Sequence, residues 1–422
     1  MKYKVSKNIS DNNFLNFSIL LLIISFCALR NWSILMYSSQ LLFLLFILFR
    51  YFKKKELRVS DYALFNFSFL VLSMVSVAWA TSYIQWYSAF ISLFQITIIC
   101  ILLSDYLDTD IKINKILNYF LISSIIMVIY LVINTPITDW VDAMQASTDA
   151  STSENRIGPS IGFQPNALGM ICGFTIVIWL YFMTNQKKYK NISIIMILTL
   201  MGILLFTKSR KAFITAVFGL IMYWILYKPR KKAIFLILII MTLGLLLTLW
   251  LIMNVPFLYN IFGFRLIGLF GLFDSSISQD ASVTTRVDMV QVGIDLFKEH
   301  PFNGVGFGNF SYYYFHSYNG WAETYAHNNY VELLSSTGIV GTVLYYLVPF
   351  SMIFSLIKNW KVFININRKL TAFLFTIITL RLIMDYGMVS YDHEFIQLLT
   401  VVCYCAVLCL KNKKRLFYNG FD

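Results

Sequence analysis

Two polar stretches of this apolar sequence carry residues that could bind an anion. Lys208, Arg210 and Lys211 lie between two apolar runs, and Arg286 lies in a longer polar interval further along. Arginine can donate two parallel hydrogen bonds to a phosphate or carboxylate, and lysine adds positive charge. The same interval contains His327, which is either structural or a functional group that titrates near working pH. These residue types indicate an anionic ligand.

The longer interval spans residues 255–337 and holds three of the four histidines. Within it lies Gly304-Val305-Gly306-Phe307-Gly308-Asn309. Alternating glycines indicate nucleotide binding when they follow a strand in a βαβ unit, but no strand pattern precedes these. We therefore interpret the run as a sharp backbone turn, or as a series of N–H groups presented to a ligand. The aromatic residues 312–315 and Trp321 are typical of a membrane interface or of a sugar-stacking surface.

Residues 284–299 have the pattern of an amphipathic helix. The predicted apolar stripe consists of Val287, Val290, Ile294 and Phe297. Thr285 and Asp288 resemble a capping box at the start of the helix, and Pro301 would end it. Arg286 would then lie in the first turn, where a cation opposes the helix dipole. This placement favours a ligand-binding role for Arg286, although a solvated arginine is the alternative.

The composition is that of a membrane protein. Of the 422 residues, 58% are hydrophobic and only 13% are charged, whereas soluble domains have about 25% charged residues. The formal net charge of +13 could suggest nucleic-acid binding. However, most lysines and arginines fall in short connectors that would lie on one side of a membrane, as the positive-inside rule requires. Topology explains the charge, so no nucleic-acid partner is expected.

The sequence predicts about twelve transmembrane helices, each of roughly 17–25 residues. They cover residues 14–30, 32–50, 62–80, 83–104, 115–134, 166–184, 191–207, 211–227, 233–254, 338–357, 370–390 and 395–410. The fold expected is therefore an all-α polytopic membrane protein with a single membrane domain over residues 1–422. Both termini would be cytoplasmic. Residues 135–165 and 255–337 would form outer loops, the second large and containing short helices.

Other residues give weaker indications. The six cysteines lie in apolar segments, so neither a disulfide nor a thiolate metal site is expected. The basic N-terminus precedes an apolar run without a small-residue cleavage site, which favours a first span over a signal peptide. Arg381 and Asp385 lie four residues apart on the eleventh predicted span. Such a pair is either a structural ion pair or part of a polar cavity.

These motifs, taken together, resemble the bacterial O-antigen ligase and Wzy-type polysaccharide polymerase superfamily. The matching segments are Thr207 to Ala212, Arg286 to Phe310, Ala326-His327-Asn328 and Gly338 to Gly341. Upstream, Arg156, Gly158 and the segment Asn166 to Gly169 are similar to a further region of the family. The resemblance covers roughly residues 156–341. The two lysines flanking Arg210 depart from the family pattern.

The resemblance implies a glycosyltransferase that uses an oligosaccharide linked to undecaprenyl diphosphate, at the outer face of the bacterial cytoplasmic membrane. Arg210 and Arg286 would bind the diphosphate, and His327 would lie at the reacting centre, as a base or as a phosphate ligand. The remaining predicted substrate-binding residues are Arg156, Asn166, Lys208, Lys211, Gly304, Gly306, Asn309 and Asn328. Arginines would do the work of a metal, so neither a metal nor a cofactor is expected. Membrane lipid, a chain-length regulator and a flippase are the further partners implied.

Three functions remain open at this point. A polymerase that joins repeat units of a capsule, exopolysaccharide or O-antigen is the leading hypothesis. A ligase that transfers the glycan to a lipid or protein acceptor would have the same motifs. A transporter for the lipid-linked sugar also suits about twelve spans, but the two halves show no repeat and the polar residues gather in an outer loop instead of at the membrane midplane.

Overall fold

The computed structural model describes residues 13–54, 60–144, 156–228 and 281–419, together with positions 250 and 254. Within these ranges the regular structure is helical, which confirms the predicted all-α fold. The α-helices are α1 (Asn13–Cys27), α2 (Ser33–Lys54), α3 (Asp61–Val75), α4 (Tyr83–Tyr106), α5 (Asp110–Asn134), α6 (Ile137–Met144), α7 (Pro165–Asn185), α8 (Lys190–Phe206), α9 (Arg210–Tyr227), α10 (Ala281–Glu299), α11 (Phe310–His316), α12 (Asn329–Lys358), α13 (Trp360–Asp385) and α14 (Glu394–Asn419). Three short 3₁₀ turns lie at residues 76–78, 159–161 and 187–189.

Ten of the described helices are long and apolar enough to cross a membrane, and α1 is a shorter apolar helix of 15 residues. The chain is therefore a multi-pass membrane protein, as its composition indicated. Each predicted span coincides with a helix, except the one at 233–254. That span lies almost wholly outside the described residues, so the number twelve stays a prediction.

Successive helices alternate in direction, so every second connection lies at the same end of the bundle. We call the end that holds Arg30, Ser160 and Glu394 the site end. Ion pairs and hydrogen bonds join these connections directly. Arg30 pairs with Glu394 at 2.9 Å, and Asn31 Nδ2 donates to the carbonyl of Ser160 at 3.0 Å. At the opposite end, Arg50 pairs with Asp105 at 3.0 Å, and Lys413 pairs with Asp110.

Small residues let α7 approach the hairpin formed by α8 and α9. A Cβ atom on Gly169 would lie 3.0 Å from the Ala212 side chain and 3.1 Å from that of Thr207. One turn later, a Cβ on Gly173 would lie 3.3 Å from the Ala212 carbonyl. Close backbone approach of this kind is how helices associate in membranes, where apolar burial gives little driving force. This packing fixes the turn before α9 against the start of α7.

Helix α12 begins at Asn329, nine residues before the predicted span, and is kinked at Gly338. Gly338 has φ 63° and ψ −167°, a conformation that residues with a Cβ rarely adopt. The kink frees N–H groups that find partners in the long loop: those of Ile339 and Val340 donate to the carbonyls of Pro301 and Phe302. The last part of the predicted loop 255–337 is therefore helical, and it is bonded to the segment that follows α10.

Helix α10 confirms the predicted helix but corrects three details of it. It begins at Ala281, so Thr285 is not its N-cap, and Arg286 lies in the second turn. Half of the predicted stripe is also wrong, because Val287 and Ile294 are exposed, whereas Val290 packs against the core. The buried face consists of Met289, Val292 and Leu296. Gly293 allows this face to approach α12 closely, because a Cβ atom at this position would come within 2.2 Å of the Val331 side chain.

Candidate functional site

The site end holds a half-buried group of cationic and polar side chains from several separate segments. It is formed by residues 156–166, which run into the start of α7, by the turn at 207–209 and the start of α9, by helix α10, by the turn before α12 and by the loop at 386–393. Its predicted members are half-buried, except for Lys208, which is buried. They are Arg156, Asn166, Lys208, Arg210, Lys211, Arg286 and His327.

The turn between α8 and α9 is held by Arg156. The Nε of Arg156 donates to the carbonyl of Thr207 at 2.8 Å, and its Nη2 donates to Oδ1 of Asn166 at 2.7 Å. Lys208, the next residue of the turn, is 3% exposed and has φ 51°. A non-glycine residue in this left-handed region costs free energy, and such residues gather at functional sites. The predicted members Arg156 and Asn166 therefore brace the turn that presents Arg210.

Lys211 crosses from α9 to the loop after α13. Its Nζ donates to the carbonyl of Gly387 at 2.8 Å. Gly387 permits the approach, since a Cβ there would lie 2.4 Å from Cδ of Lys211. Arg210 and Arg286 lie close enough for their charges to act on the Lys211 ammonium group. The three predicted cations therefore occupy one region, although two helices distant in sequence supply them.

His327 lies in a tight turn just before α12. Its φ is 52°, which places a second predicted site residue in the left-handed region. Asn328 caps the helix, because its Oδ1 accepts from the N–H groups of Tyr330 and Val331 at 3.0 and 3.3 Å. Glu332 reaches back from the first turns to accept from the N–H of Ala326 at 2.8 Å. Both residues flanking His327 are therefore fixed, and the imidazole is held at the helix end.

Tyr325 connects His327 to the segment before α7. The two rings are 4.3 Å apart between centroids. The Tyr325 hydroxyl donates to Oε1 of Gln164 at 3.2 Å. The charge of Arg286 also acts on Tyr325, which places α10 beside this pair. The imidazole therefore lies close to both a tyrosine ring and the cations.

The surroundings of His327 keep its imidazole neutral. Burial is the main cause, and the positive charges of Arg286 and Lys211 add to it, so the pKa falls from 6.5 to about 4. A neutral imidazole has one N–H donor and one acceptor nitrogen. At neutral pH His327 can therefore donate a hydrogen bond to an anion, but it is a weak base. Which of the two predicted roles His327 has, phosphate ligand or base, stays a prediction.

The glycine run at residues 304–308 packs against the first turns of α12 and against the connection between α3 and α4. The N–H groups of Val305 and Gly306 donate to the carbonyls of Ser335 and Ser336 at 2.9 and 3.1 Å. A Cβ on Gly304 would meet the backbone of Ser336 at 2.4 Å, and one on Gly306 would meet Ala80. These contacts give Gly304 and Gly306 a packing role, and substrate contact by them stays a prediction.

Asn309 is fully buried and joins the glycine run to the connection between α3 and α4. Its Oδ1 accepts from the N–H of Ser82 at 2.7 Å, and its Nδ2 donates to the carbonyls of Ser82 and Phe307 at 3.2 and 3.3 Å. The amide is therefore occupied by backbone partners. Its geometry supports a structural role, and the predicted contact with substrate stays untested.

We expect Asn309→Ala to destabilise the protein by about 1–3 kcal/mol, because the half-buried N–H of Ser82 would lose its acceptor and the buried amide would lose its bonds to two carbonyls. Thermal unfolding in detergent measures the effect. Asn134→Ala is the control, since its exposed amide donates to the carbonyl one helical turn before it, Tyr130. If Asn309→Ala melts like wild type and instead binds substrate more weakly, the packing role is wrong.

The predicted pair Arg381 and Asp385 does not form a direct ion pair. Nη2 of Arg381 donates to the hydroxyl of Tyr345 at 2.7 Å, while Asp385 accepts from the hydroxyls of Tyr346 and Ser390. Both side chains are buried. They belong to a polar layer directly beneath the loop at 386–393, so they support the site from below.

Sequence reasoning missed Gln164, Tyr325 and Gly387. A single tyrosine or glutamine near a membrane surface carries little signal, and Gly387 is recognisable only from its contact with Lys211. Tyr325 lies two residues before His327, which was the one available indication.

In the described part of the chain, no group of three or more His, Cys, Asp or Glu residues is arranged to hold a metal ion.

The comparison with known proteins gives a match over residues 194–346. This range includes the turn with Arg210, helix α10 and the His327 turn. No curated protein matches the chain in sequence. Residues 194–346 do match the family model described as O-antigen ligase. This match confirms the predicted resemblance, and it assigns the region that carries the cationic site to the O-antigen ligase and Wzy-type polymerase superfamily.

Proposed function

We propose that this protein is a polysaccharide polymerase that joins oligosaccharide repeat units carried on undecaprenyl diphosphate. The observation that supports it is the convergence of Arg210, Lys211, Arg286 and His327 at one end of a membrane helix bundle. A lipid-linked diphosphate has its chain in the membrane and its anionic group at the surface. A half-buried cationic site at a bundle end suits both parts of such a molecule.

The proposed reaction is an inverting glycosyl transfer. A sugar hydroxyl of the acceptor attacks the anomeric carbon of the donor, and the bond from that carbon to the diphosphate oxygen breaks. The electron pair leaves with the oxygen, so negative charge grows on the diphosphate. Arginines that are already oriented stabilise this charge more effectively in a partly dry site than in water. Arg210 and Arg286 are the residues proposed to do so.

Lys211 and His327 have secondary roles in this proposal. The bond from Lys211 to the Gly387 carbonyl holds its ammonium group beside the arginines. His327 is neutral at working pH and donates a hydrogen bond to a phosphate oxygen. The site would face the outside of the bacterial cytoplasmic membrane with both termini inside, because the positive-inside rule assigns the basic opposite end to the cytoplasm.

Purified protein mixed with a lipid-diphosphate-linked repeat unit tests the proposal, with chelator present and no added metal. We expect a ladder of products on a gel, each step one repeat unit longer, together with released lipid diphosphate. A single unchanged band with the wild-type protein, and no released lipid diphosphate, would contradict polymerase activity.

A ligase is the second candidate, since the matching family model is described as O-antigen ligase. It would transfer the glycan once, to a lipid or protein acceptor, and would give no ladder from the donor alone. A strain with this enzyme as its single polymerase or ligase separates the two. Long glycan on the lipid carrier indicates a polymerase, and a lipid or protein conjugate indicates a ligase.

A further inference from the structure

The loop at residues 386–393, between α13 and α14, forms a wall of the site that the sequence did not indicate. Its start is bonded to the site, because the Gly387 carbonyl accepts from Lys211. Its middle is bonded to the helix that follows His327: Oδ1 of Asn329 accepts from the N–H groups of Ser390 and Tyr391 at 2.9 and 3.3 Å. The loop is therefore fixed relative to both Lys211 and the His327 turn.

The C-terminal end of this loop is connected to the segment before α7, which forms the opposite wall of the site. Glu394 pairs with Arg30 at 2.9 Å. The guanidinium of Arg30 lies 5.8 Å from the ring centre of Phe163, the residue before Gln164. Gln164 is the hydrogen-bond partner of Tyr325. A continuous set of contacts therefore runs from the loop, through the segment before α7, to the tyrosine that packs on His327.

Asp392 lies between these anchors. It is half-buried, and within the described residues its carboxylate has no hydrogen bond to another residue. Its charge acts on Tyr325 and Glu332, which places it near the residues around the His327 turn. The neighbouring carboxyl groups already have partners, since Glu332 binds the Ala326 N–H and Glu394 binds Arg30, while Asp385 accepts from Tyr346 and Ser390.

A group with unsatisfied polar atoms lies next to Asp392. Both ring nitrogens of His393 are buried and have no hydrogen-bond partner among the described residues. Buried polar atoms without partners are rare in proteins, and a bound water or ligand is a usual explanation. Charges that face this pair come from Arg30 and Glu394. The region therefore offers acceptor and donor atoms that the protein itself does not use.

We propose that Asp392 binds the attacking hydroxyl of the acceptor sugar and serves as the base of the transfer. The inference rests on the proposed function and names the acceptor side of the same site. The acceptor would approach past Tyr325 and Gln164, and the donor diphosphate would lie against Arg210, Lys211 and Arg286. Donor and acceptor would thus bind to opposite walls.

The proposed step is balanced in protons and charge. The hydroxyl oxygen forms a bond to the anomeric carbon, and its proton passes to the Asp392 carboxylate. The bond between the anomeric carbon and the diphosphate oxygen breaks, and that oxygen keeps the electron pair. The protonated Asp392 afterwards releases its proton to solvent, for which its half-buried position leaves a path.

The electrostatics support this division of roles. Burial and the neighbouring charge of Glu394 raise the pKa of the Asp392 carboxyl from 3.8 to about 6, which is close to a base that works near neutral pH. Burial, together with the nearby cations, lowers the pKa of His327 to about 4. The ionised carboxylate is needed, so activity that depends on Asp392 falls as the pH decreases through about 6. A dependence on His327 would instead appear near pH 4.

Transfer kinetics of the purified Asp392→Asn variant test the inference. We expect kcat to fall by about 100-fold or more, the usual contribution of a general base. The Kd for a lipid diphosphate without glycan should stay within about two-fold of wild type, because donor binding uses other residues. Wild-type kcat/KM should decrease below pH 6, and the residual rate of the variant should lose this dependence.

Glu394→Gln is the matched control, since it makes the same change of carboxylate to amide in a residue that anchors the loop. We expect it to lower the melting temperature while keeping kcat well above that of Asp392→Asn. Equal losses of kcat in both variants, or a parallel loss of lipid diphosphate binding in Asp392→Asn, would overturn the inference. A wild-type protein that transfers no glycan would overturn the proposed function itself.

Discussion

Replacing Arg286 by alanine is expected to lower the rate of glycan transfer by about 100- to 1,000-fold. The proposed transition state places growing negative charge on the diphosphate, and removal of one preoriented donor from such a site typically has this effect. Arg286 is half-buried on α10, and its charge acts on His327, Lys211 and Tyr325. Its loss therefore removes positive charge from the centre of the cluster. The initial rate of release of lipid diphosphate measures the effect.

Lys298→Ala is the control for this prediction, because it removes one positive charge from the same helix. Lys298 is 65% exposed and pairs with Asp295 at the surface. We expect its variant to keep the wild-type rate. Arg286→Lys should recover part of the lost rate, since it restores the charge without the two parallel hydrogen bonds. Wild-type rates in Arg286→Ala would exclude Arg286 from the proposed clamp.

Replacing Gly338 by alanine is expected to destabilise the protein by roughly 3 kcal/mol or more, because backbone strain and a steric clash add together. Its φ of 63° with ψ −167° is a region that is essentially restricted to glycine. A Cβ atom would also lie 2.3 Å from the backbone carbon and oxygen of Phe302. The clash would separate α12 from the segment after α10. Thermal unfolding in detergent measures the loss.

Gly202→Ala is the matched control, because it makes the same substitution in a helix with no atom within 4 Å of the new Cβ. Alanine favours helix by up to about 1 kcal/mol over glycine, so this variant should be as stable as wild type or more so. If Gly338→Ala melts at the wild-type temperature, then the kink does not require glycine and the junction is not rigid.

Much of the fold was predictable because membrane helices have a strong sequence signal. Long apolar runs predicted the helices α2 to α5, and the structure has each of them. The ends were less predictable. Helix α12 begins at Asn329 because the polar segment before Gly338 is stabilised by bonds to other segments, such as the bond from the N–H of Ser390 to Asn329. Hydropathy cannot show contacts of this kind.

The face of α10 was misread because apolar periodicity does not show which face a partner helix covers. Val287 and Ile294 fit a stripe as well as Met289 and Leu296 do, and Gly293 decided between them through its contact with α12. A glycine contributes almost nothing to a hydrophobic periodicity, so the pattern does not show the role of Gly293. Its effect depends on a residue almost forty positions away, Val331, which the sequence alone does not bring close.

The cations of the site were predictable from their types and places, since Arg210 and Lys211 follow an apolar run closely and Arg286 lies near the start of a predicted helix, where a cation opposes the helix dipole. Their neighbours were not. Gly387 contributes a carbonyl, Tyr325 contributes a ring, and Asp392 lies in a short connection with no motif. Residues that act through backbone groups or through position in the fold leave little trace in a sequence.

The central claim is that the cationic site binds the diphosphate of a lipid-linked donor, and a binding measurement tests it most directly. Affinities of undecaprenyl diphosphate and undecaprenyl monophosphate would be compared for the wild type, Arg286→Ala and Lys298→Ala. The account predicts that the wild type and Lys298→Ala prefer the diphosphate by roughly ten-fold or more, the effect of an added charge-assisted contact, and that Arg286→Ala loses most of this preference. Equal affinities for the two lipids in all three proteins would contradict the account.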